Sequence, residues 1–306
     1  MNGNIPVLTV KGKCLAEAWE NSMLMLYHEG CDIKTEYDKK EDPPSKDSTM
    51  MVVVEDPASE PFIHRAFPGG PADLEEYRQE VVEGIKDNWV RDPNDPEDTR
   101  WEYTYHGRLF KYEYIKYAPP MLDEFGVKQA EQYQHLYNNQ IKEMIEKLAK
   151  TPYSRRCNAI TWKVSEDPKW ESPPCLQSIW CRVHVVGHTW YLNMNVRFRS
   201  RDAYDAAFMN MYAFIYLQEY IADEISKLAG RPVELGRFCD LSDSYHIYGH
   251  RLADFEQRFM GLLKTRTFAD RTWTRGDIAD MIVEARPMIA EKVRQKNEDF
   301  EQRGLL

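Results

Sequence analysis

Residues 189–228 read TWYLNMNVRFRSRDAYDAAFMNMYAFIYLQEYIADEISKL, and this stretch decides the fold class. Thr189 to Phe198 reads as a strand, and Ala203 to Leu228 as a long, mostly apolar helix ended by Gly230. Apolar residues line more than one side of that helix, so it belongs inside a core and not on a surface. Its flanks supply a sheet. Ala159 to Val164 and Ser178 to Val186 read as strands, Val186-Gly187-His188 as a tight turn, and Pro232 to Ile247 as extended chain. Upstream, Leu15 to Glu29 has helical periodicity, with Ala16, Trp19, Met23, Leu24 and Tyr27 on one face, and Thr49 to Val54 is a β-branched, apolar strand. Asp73 to Asn88, Lys128 to Lys150, Asp254 to Leu263 and Ile278 to Arg303 are predicted helices; Asp32 to Asp47 and Asp92 to Asp98 are predicted loops. No internal repeat is visible. Breakers such as Pro68-Gly69-Gly70-Pro71 do not divide the chain, so one α+β domain over residues 1–306 is expected.

Composition narrows the functional classes. The chain has 306 residues, 42% hydrophobic and 12% aromatic, enough for a substantial core. Its net charge of -10 argues against sequence-independent DNA binding, where Lys and Arg must neutralise phosphates. A local arginine cluster can still hold a small anion. Six scattered cysteines without a C-x-x-C pair fit neither a zinc ribbon nor a disulfide scaffold and suggest a reducing cytoplasm. No signal peptide, transmembrane run or metal site is expected.

Four local features carry chemistry. Ser172-Pro173-Pro174-Cys175 delivers a thiol at a strand entrance, where it is either a buried structural cysteine or a nucleophile for an electron-poor carbon. Ser154-Arg155-Arg156 is either an exposed basic pair or a phosphate grip. Arg199-Ser200-Arg201-Asp202 ends a strand with donors for phosphate oxygens and opens the long helix with a carboxylate. Within that helix Asn210 must find partners. It is either a satisfied core amide or one matched to the O4 and N3–H of uracil. Finally, His246 and Tyr248 share one face of an extended segment and can reach a single sugar hydroxyl.

Together, in this order and spacing, Ser154-Arg-Arg, Pro-Pro-Cys175, Arg199-Ser-x-Asp202, Asn210 and His246-x-Tyr248 resemble the thymidylate synthase family, best over residues 152–250. The resemblance implies a mixed β-sheet flanked by helices and an obligate homodimer with shared sites. It implies Cys175 as nucleophile at C6 of a pyrimidine nucleotide, dUMP, with Arg199 and Ser200 on the 5′-phosphate. Arg155 and Arg156 would reach that phosphate from the partner subunit, Asn210 would read the base, and His246 and Tyr248 would hold the 3′-hydroxyl. Asp202 would contact the pterin of 5,10-methylenetetrahydrofolate or a related reduced pterin, Trp89 would stack on it, and Tyr105 would help remove the C5 proton. The chemistry needs such a thiol: uracil C5 is not nucleophilic until something adds at C6.

The sequence departs from the family on the pterin and proton-transfer side. Leu176 follows the cysteine, Phe198 precedes Arg199, and Lys86 lies where a stacking tryptophan would fall. Lys46 is the candidate point charge replacing an arginine-rich loop, and Glu75, Glu76 and Glu80 are candidates for an absent proton-transfer glutamate. A weakened pterin side admits water and with it a 5-hydroxymethyl product. A non-catalytic nucleotide- or RNA-binding relative is the third reading.

Overall fold

The computed structural model describes residues 3–92, 95, 97–118 and 132–306. Its strands are β1 (Val7–Gly12), β2 (Cys31–Ile33), β3 (Ser45–Val54), β4 (Ile63–His64), β5 (Tyr112–Ala118), β6 (Gln132–Asn138), β7 (Asn158–Ile160), β8 (Leu176–Val186), β9 (Thr189–Phe198), β10 (Arg201–Asp202), β11 (Val233–Ile247) and β12 (Thr272–Trp273). The helices are α1 (Leu15–Glu29), α2 (Pro71–Glu83), α3 (Tyr105–Phe110), α4 (Gln140–Lys150), α5 (Ala207–Ala229), α6 (Leu252–Asp254), α7 (Gly261–Thr265) and α8 (Ala279–Gln302).

The main sheet is mixed. Its order is β1-β3-β11-β9-β8-β7, with β2 on β3 and β10 on β11. The β1–β3, β9–β11 and β10–β11 pairs are parallel, and the others antiparallel. Alternation in β9 buries Leu192, Met194, Val196 and Phe198 on the face that carries the helices, leaving Tyr191, Asn193, Asn195 and Arg197 on the other. On the helical face lie α1 and α5, with α2 and α4 packed on α5. Helix α5 is central: Phe208, Met211, Phe214, Ile215, Leu217, Ile221 and Ile225 are fully buried around it. Each such side chain stabilises the fold by roughly 1.5–3 kcal/mol. The chain is thus α+β with a mixed sheet flanked by helices and one long buried helix.

Several element boundaries differ from the sequence expectation, for local reasons. The predicted helix from Lys128 to Lys150 begins at Gln140; residues 132–138 form β6, paired along its length with β5, while residues 128–131 lie outside the described residues. Asn139 sets the boundary: its side-chain oxygen accepts the Lys142 N–H at 2.8 Å and caps the new helix. The expected helix start at Ala203 moves to Ala207, because the Asp202 carboxylate first captures the N–H groups of Tyr204 and Asp205 at 3.0 and 2.9 Å. Helix α2 stops at Glu83, before Gly84 at φ +69°, instead of running to Asn88. The strand expected to Val164 ends at Ile160, and the expected loop from Asp32 to Asp47 contains strand pairing between β2 and β3. Among the described residues no helix is long and apolar enough to cross a membrane.

Candidate active site

Cys175 sits immediately before β8, and its backbone is held on both sides. The Arg199 N–H donates to its carbonyl at 2.8 Å, and the next N–H, of Leu176, donates to the Tyr105 hydroxyl at 3.3 Å. The Arg199 guanidinium donates to the carbonyls of Pro173 (2.7 Å) and Pro174 (3.1 Å), fixing the Pro-Pro approach. The thiol borders a cavity of about 590 Å³. Seven of the residues given a role by the family resemblance line it: Cys175, Tyr105, Ser200, Asp202, Asn210, His246 and Tyr248. They come from five separate parts of the chain, the Cys175 approach, α3, β10, α5 and the end of β11.

Each has a fixed local environment. Asn210 accepts at Oδ1 from Arg201 Nη1 (3.2 Å) and donates from Nδ2 to the Tyr77 hydroxyl (2.6 Å). His246 is buried, and burial pushes its pKa below the ordinary value, which keeps the ring neutral at pH 7. Its Nδ1 lies 3.2 Å from Ser244 Oγ, whose own proton goes to Asp47 Oδ2 at 2.7 Å. Nδ1 is therefore the protonated nitrogen. Nε2 is left as an acceptor, buried and without a partner among the described residues. The Tyr248 ring meets His246 edge-on at 4.6 Å, and burial raises its hydroxyl to about 12. Asp202 is raised to about 6, first by burial and then by the neighbouring Asp205 carboxylate, against the backbone N–H groups it accepts. Burial also lifts Tyr105 and Tyr77 well above the usual phenol range, so both stay protonated.

Other candidates lie elsewhere. Arg199 is not part of the cavity wall; it braces the Cys175 segment beside it. Arg155 and Arg156 are exposed, off the cavity, and without an ion pair among the described residues. Trp89 does not reach the cavity either. Its Nε1–H donates to Asn297 on α8 at 3.1 Å, and its ring meets Trp101 edge-on at 5.3 Å. Trp101, 40% exposed, lines the cavity in its place, and the Lys86 ammonium lies over both indoles, 5.2 and 5.4 Å from their centroids. Lys46 is tied to Asp32 at 2.7 Å and is not a free charge for a phosphate. Of the three glutamates, Glu75 is locked by Arg78 and Arg286 and held down at about 2, and Glu76 pairs with Lys86 and Lys292. Glu80 alone of these lines the cavity, 2.9 Å from Lys86, with burial raising its pKa.

Sequence reasoning missed Tyr77, Trp101, Tyr103 and Arg201. Arg201 was within reach of it, since it stands inside a segment already singled out and on a two-residue strand that must turn its side chain into the core.

A family model described as thymidylate synthase matches residues 79–268. Two archaeal relatives bear the name "Putative thymidylate synthase". That of Methanosarcina barkeri is 26% identical over 242 residues, 79% of this chain and 89% of its own length. That of Methanocaldococcus jannaschii is 27% identical over 259 residues, 83% and 96% respectively. Among solved structures, the thermostable thymidylate synthase A of Bacillus subtilis matches the fold with a TM-score of 0.52 at 16% identity, covering 81% of this chain and 84% of that one.

Proposed function

The chain belongs to the thymidylate synthase family, and on that premise we propose that it transfers a one-carbon unit to C5 of dUMP, with Cys175 as the covalent nucleophile. The observation that carries this reading is the gathering of Cys175, Tyr105, Ser200, Asp202, Asn210, His246 and Tyr248 around one cavity. A simple nucleotide binder has no use for a thiol there, beside an amide able to match uracil.

The thiolate of Cys175 adds to C6 of the base. The electron pair moves to C5 and O4, where the Asn210 N–H group stabilises the developing charge. C5, now nucleophilic, takes up the one-carbon unit and then loses its proton, and in the last step the C6–S bond breaks to return the Cys175 thiolate and restore the C5–C6 double bond. Tyr105, held protonated by burial, acts as a hydroxyl relay in that loss, and Glu80 is the carboxylate placed to receive the proton. The unpartnered Nε2 of His246 accepts from a sugar hydroxyl, with Tyr248 beside it. Ser200 supplies a phosphate donor from the cavity wall, and Arg199, behind the Cys175 segment, would have to leave the Pro173 and Pro174 carbonyls to add its own. 5,10-Methylenetetrahydrofolate or a related reduced pterin, when bound, provides the carbon and the reducing hydride. Trp101, Tyr103 and Asp202 are the cavity groups that would hold it.

The chain works in this reading as one domain and as a homodimer. The outer face of the sheet, with Trp180, Tyr191 and Leu241 half-buried and no helix over it among the described residues, supports a sheet-to-sheet partner, and Arg155 and Arg156 then serve the other subunit's phosphate. A 5-hydroxymethyl product is the second reading, favoured by Glu80, Glu102 and Thr104 on the cavity wall, polar groups able to hydrogen-bond a water.

The adduct step is testable without any pterin. Incubated with dUMP in D₂O, the protein is expected to exchange the C5 hydrogen for deuterium, followed by proton NMR, because C6 addition lets C5 pick up a solvent deuteron and then lose its proton with expulsion of the thiolate. Cys175→Ser should stop the exchange by at least about 10³-fold while retaining dUMP binding. Equal exchange in the variant would eliminate Cys175 as the nucleophile.

A further inference from the structure

The guanidinium of Arg201 is buried, and every group around it is specific. It lies face-on over the Phe198 ring, its Cζ 3.3 Å from the ring centroid. One arm pairs with Asp240 Oδ2 on β11, a carboxylate only 1% exposed whose other oxygen accepts from Ser242 at 3.2 Å. The other arm donates to Asn210 Oδ1 at 3.2 Å and to the Ala207 carbonyl at 3.4 Å. Two of the residues in this cluster, Phe198 and Arg201, belong to the segment that leads from β9 into α5, and the first is one of the chain's departures from the family.

An asparagine amide has two faces that differ only by a flip, and its flip decides which pyrimidine it can read. Nδ2–H opposite O4 and Oδ1 opposite N3–H matches uracil; the flipped amide matches the N4 amino group and bare N3 of cytosine. Arginine carries donors only and does not lose its proton, so the Asn210 atom facing it must be the oxygen. Flipping the amide would point NH₂ at the guanidinium and forfeit a charge-assisted hydrogen bond. On the other side the Tyr77 hydroxyl accepts from Nδ2 at 2.6 Å, in keeping with the same orientation. One lone pair of Oδ1 and one N–H of Nδ2 remain for the cavity.

We propose that Arg201 is a specificity-determining positioning residue: anchored by Asp240 and Phe198, it locks the Asn210 amide in the orientation that accepts uracil nucleotides and rejects cytosine nucleotides. The inference rests on the reading that Asn210 faces the base. A pair that merely ties β10 to β11 would not care which atom of Asn210 it met.

The test is isothermal titration of dUMP and dCMP into the wild-type protein and three variants, with thermal melts to confirm folding. Arg201→Met/Asp240→Leu removes both buried charges together, so neither is left uncompensated. Arg201→Lys keeps a charge for Asp240 but cannot also span to Asn210, and Tyr77→Phe releases the amide from the opposite side. The wild type is expected to favour dUMP. The double variant and Arg201→Lys should each lower the dUMP-to-dCMP preference by about 10- to 100-fold, mainly because dCMP tightens while dUMP changes little; Tyr77→Phe should shift it in the same direction by less. A preference unchanged in the folded variants, or parallel weakening of both nucleotides, would overturn the lock. Failure of the wild type to bind either nucleotide would instead remove the reading of the site on which the lock depends.

Discussion

Asp202 sits where its charge is poorly tolerated, and this has a measurable consequence. Its folded pKa of about 6 lies above the ordinary carboxylate value, chiefly through burial. Below about pH 4 the carboxyl is protonated in both folded and unfolded chains and costs nothing. As pH rises through that value the unfolded chain releases its proton first, so stability falls, and above about pH 6 the full penalty remains. Asp202→Asn keeps an oxygen for the Tyr204 and Asp205 N–H groups. It should stabilise the protein by about 1–2 kcal/mol at pH 7.5 and by almost nothing at pH 4, read from thermal melts across that range. A gain independent of pH would show that the carboxylate's charge is not the cause. At this scale the sequence was partly legible. Residues such as Cys175, Asn210 and His246 announce themselves by type within a short motif. Tyr77 does not, because Asn210, the group that gives it meaning, lies 133 residues away along the chain, and Arg201, though inside a motif, owes its buried placement to Asp240, 39 residues on.

Among the elements, α5 and the two strands beneath it determine the site's shape. β11 pairs with β9 in a register that slips between Leu235 and Phe238. Such a bulge leaves carbonyls without ladder partners. Gln218, fully buried on α5, answers this by donating from Nε2 to the carbonyls of Leu192 (2.7 Å), Gly236 (3.2 Å) and Arg237 (3.4 Å). Its own Oε1 has no partner among the described residues, which offsets part of the benefit. Gln218→Leu should therefore destabilise the fold by about 1–2 kcal/mol in urea titration, with an unchanged m-value. A neutral result would mean that the bulge is satisfied in another way. Strong periodicity made α1, α5 and β9 readable; Thr189 to Phe198 is both the expected and the observed strand. The boundaries that moved did so where one polar side chain overrides the pattern. Asn139 divides a continuous periodic stretch into β6 and α4, and Asp202 delays α5 by a turn. Pairing of residues 132–138 with β5 is a long-range event that local periodicity cannot show.

For the whole molecule, the sheet face that no helix covers among the described residues and the position of Arg155 and Arg156 off the cavity belong together if each subunit completes the other's site. Mixing Cys175→Ser subunits with Arg155→Ala/Arg156→Ala subunits, after dissociation and reassociation, should then recover about a quarter of wild-type turnover, because only the mixed dimer contains one intact site. No recovery from a verified mixed dimer would show that the two arginines do not serve the other subunit's site. The most direct test of the account as a whole is the mass of the product formed from dUMP and 5,10-methylenetetrahydrofolate by the wild-type protein and by Cys175→Ser. A nucleotide heavier by one methylene unit is expected with the wild type and none with the variant. An unaltered nucleotide despite measurable dUMP binding, or the same product from both proteins, would contradict it.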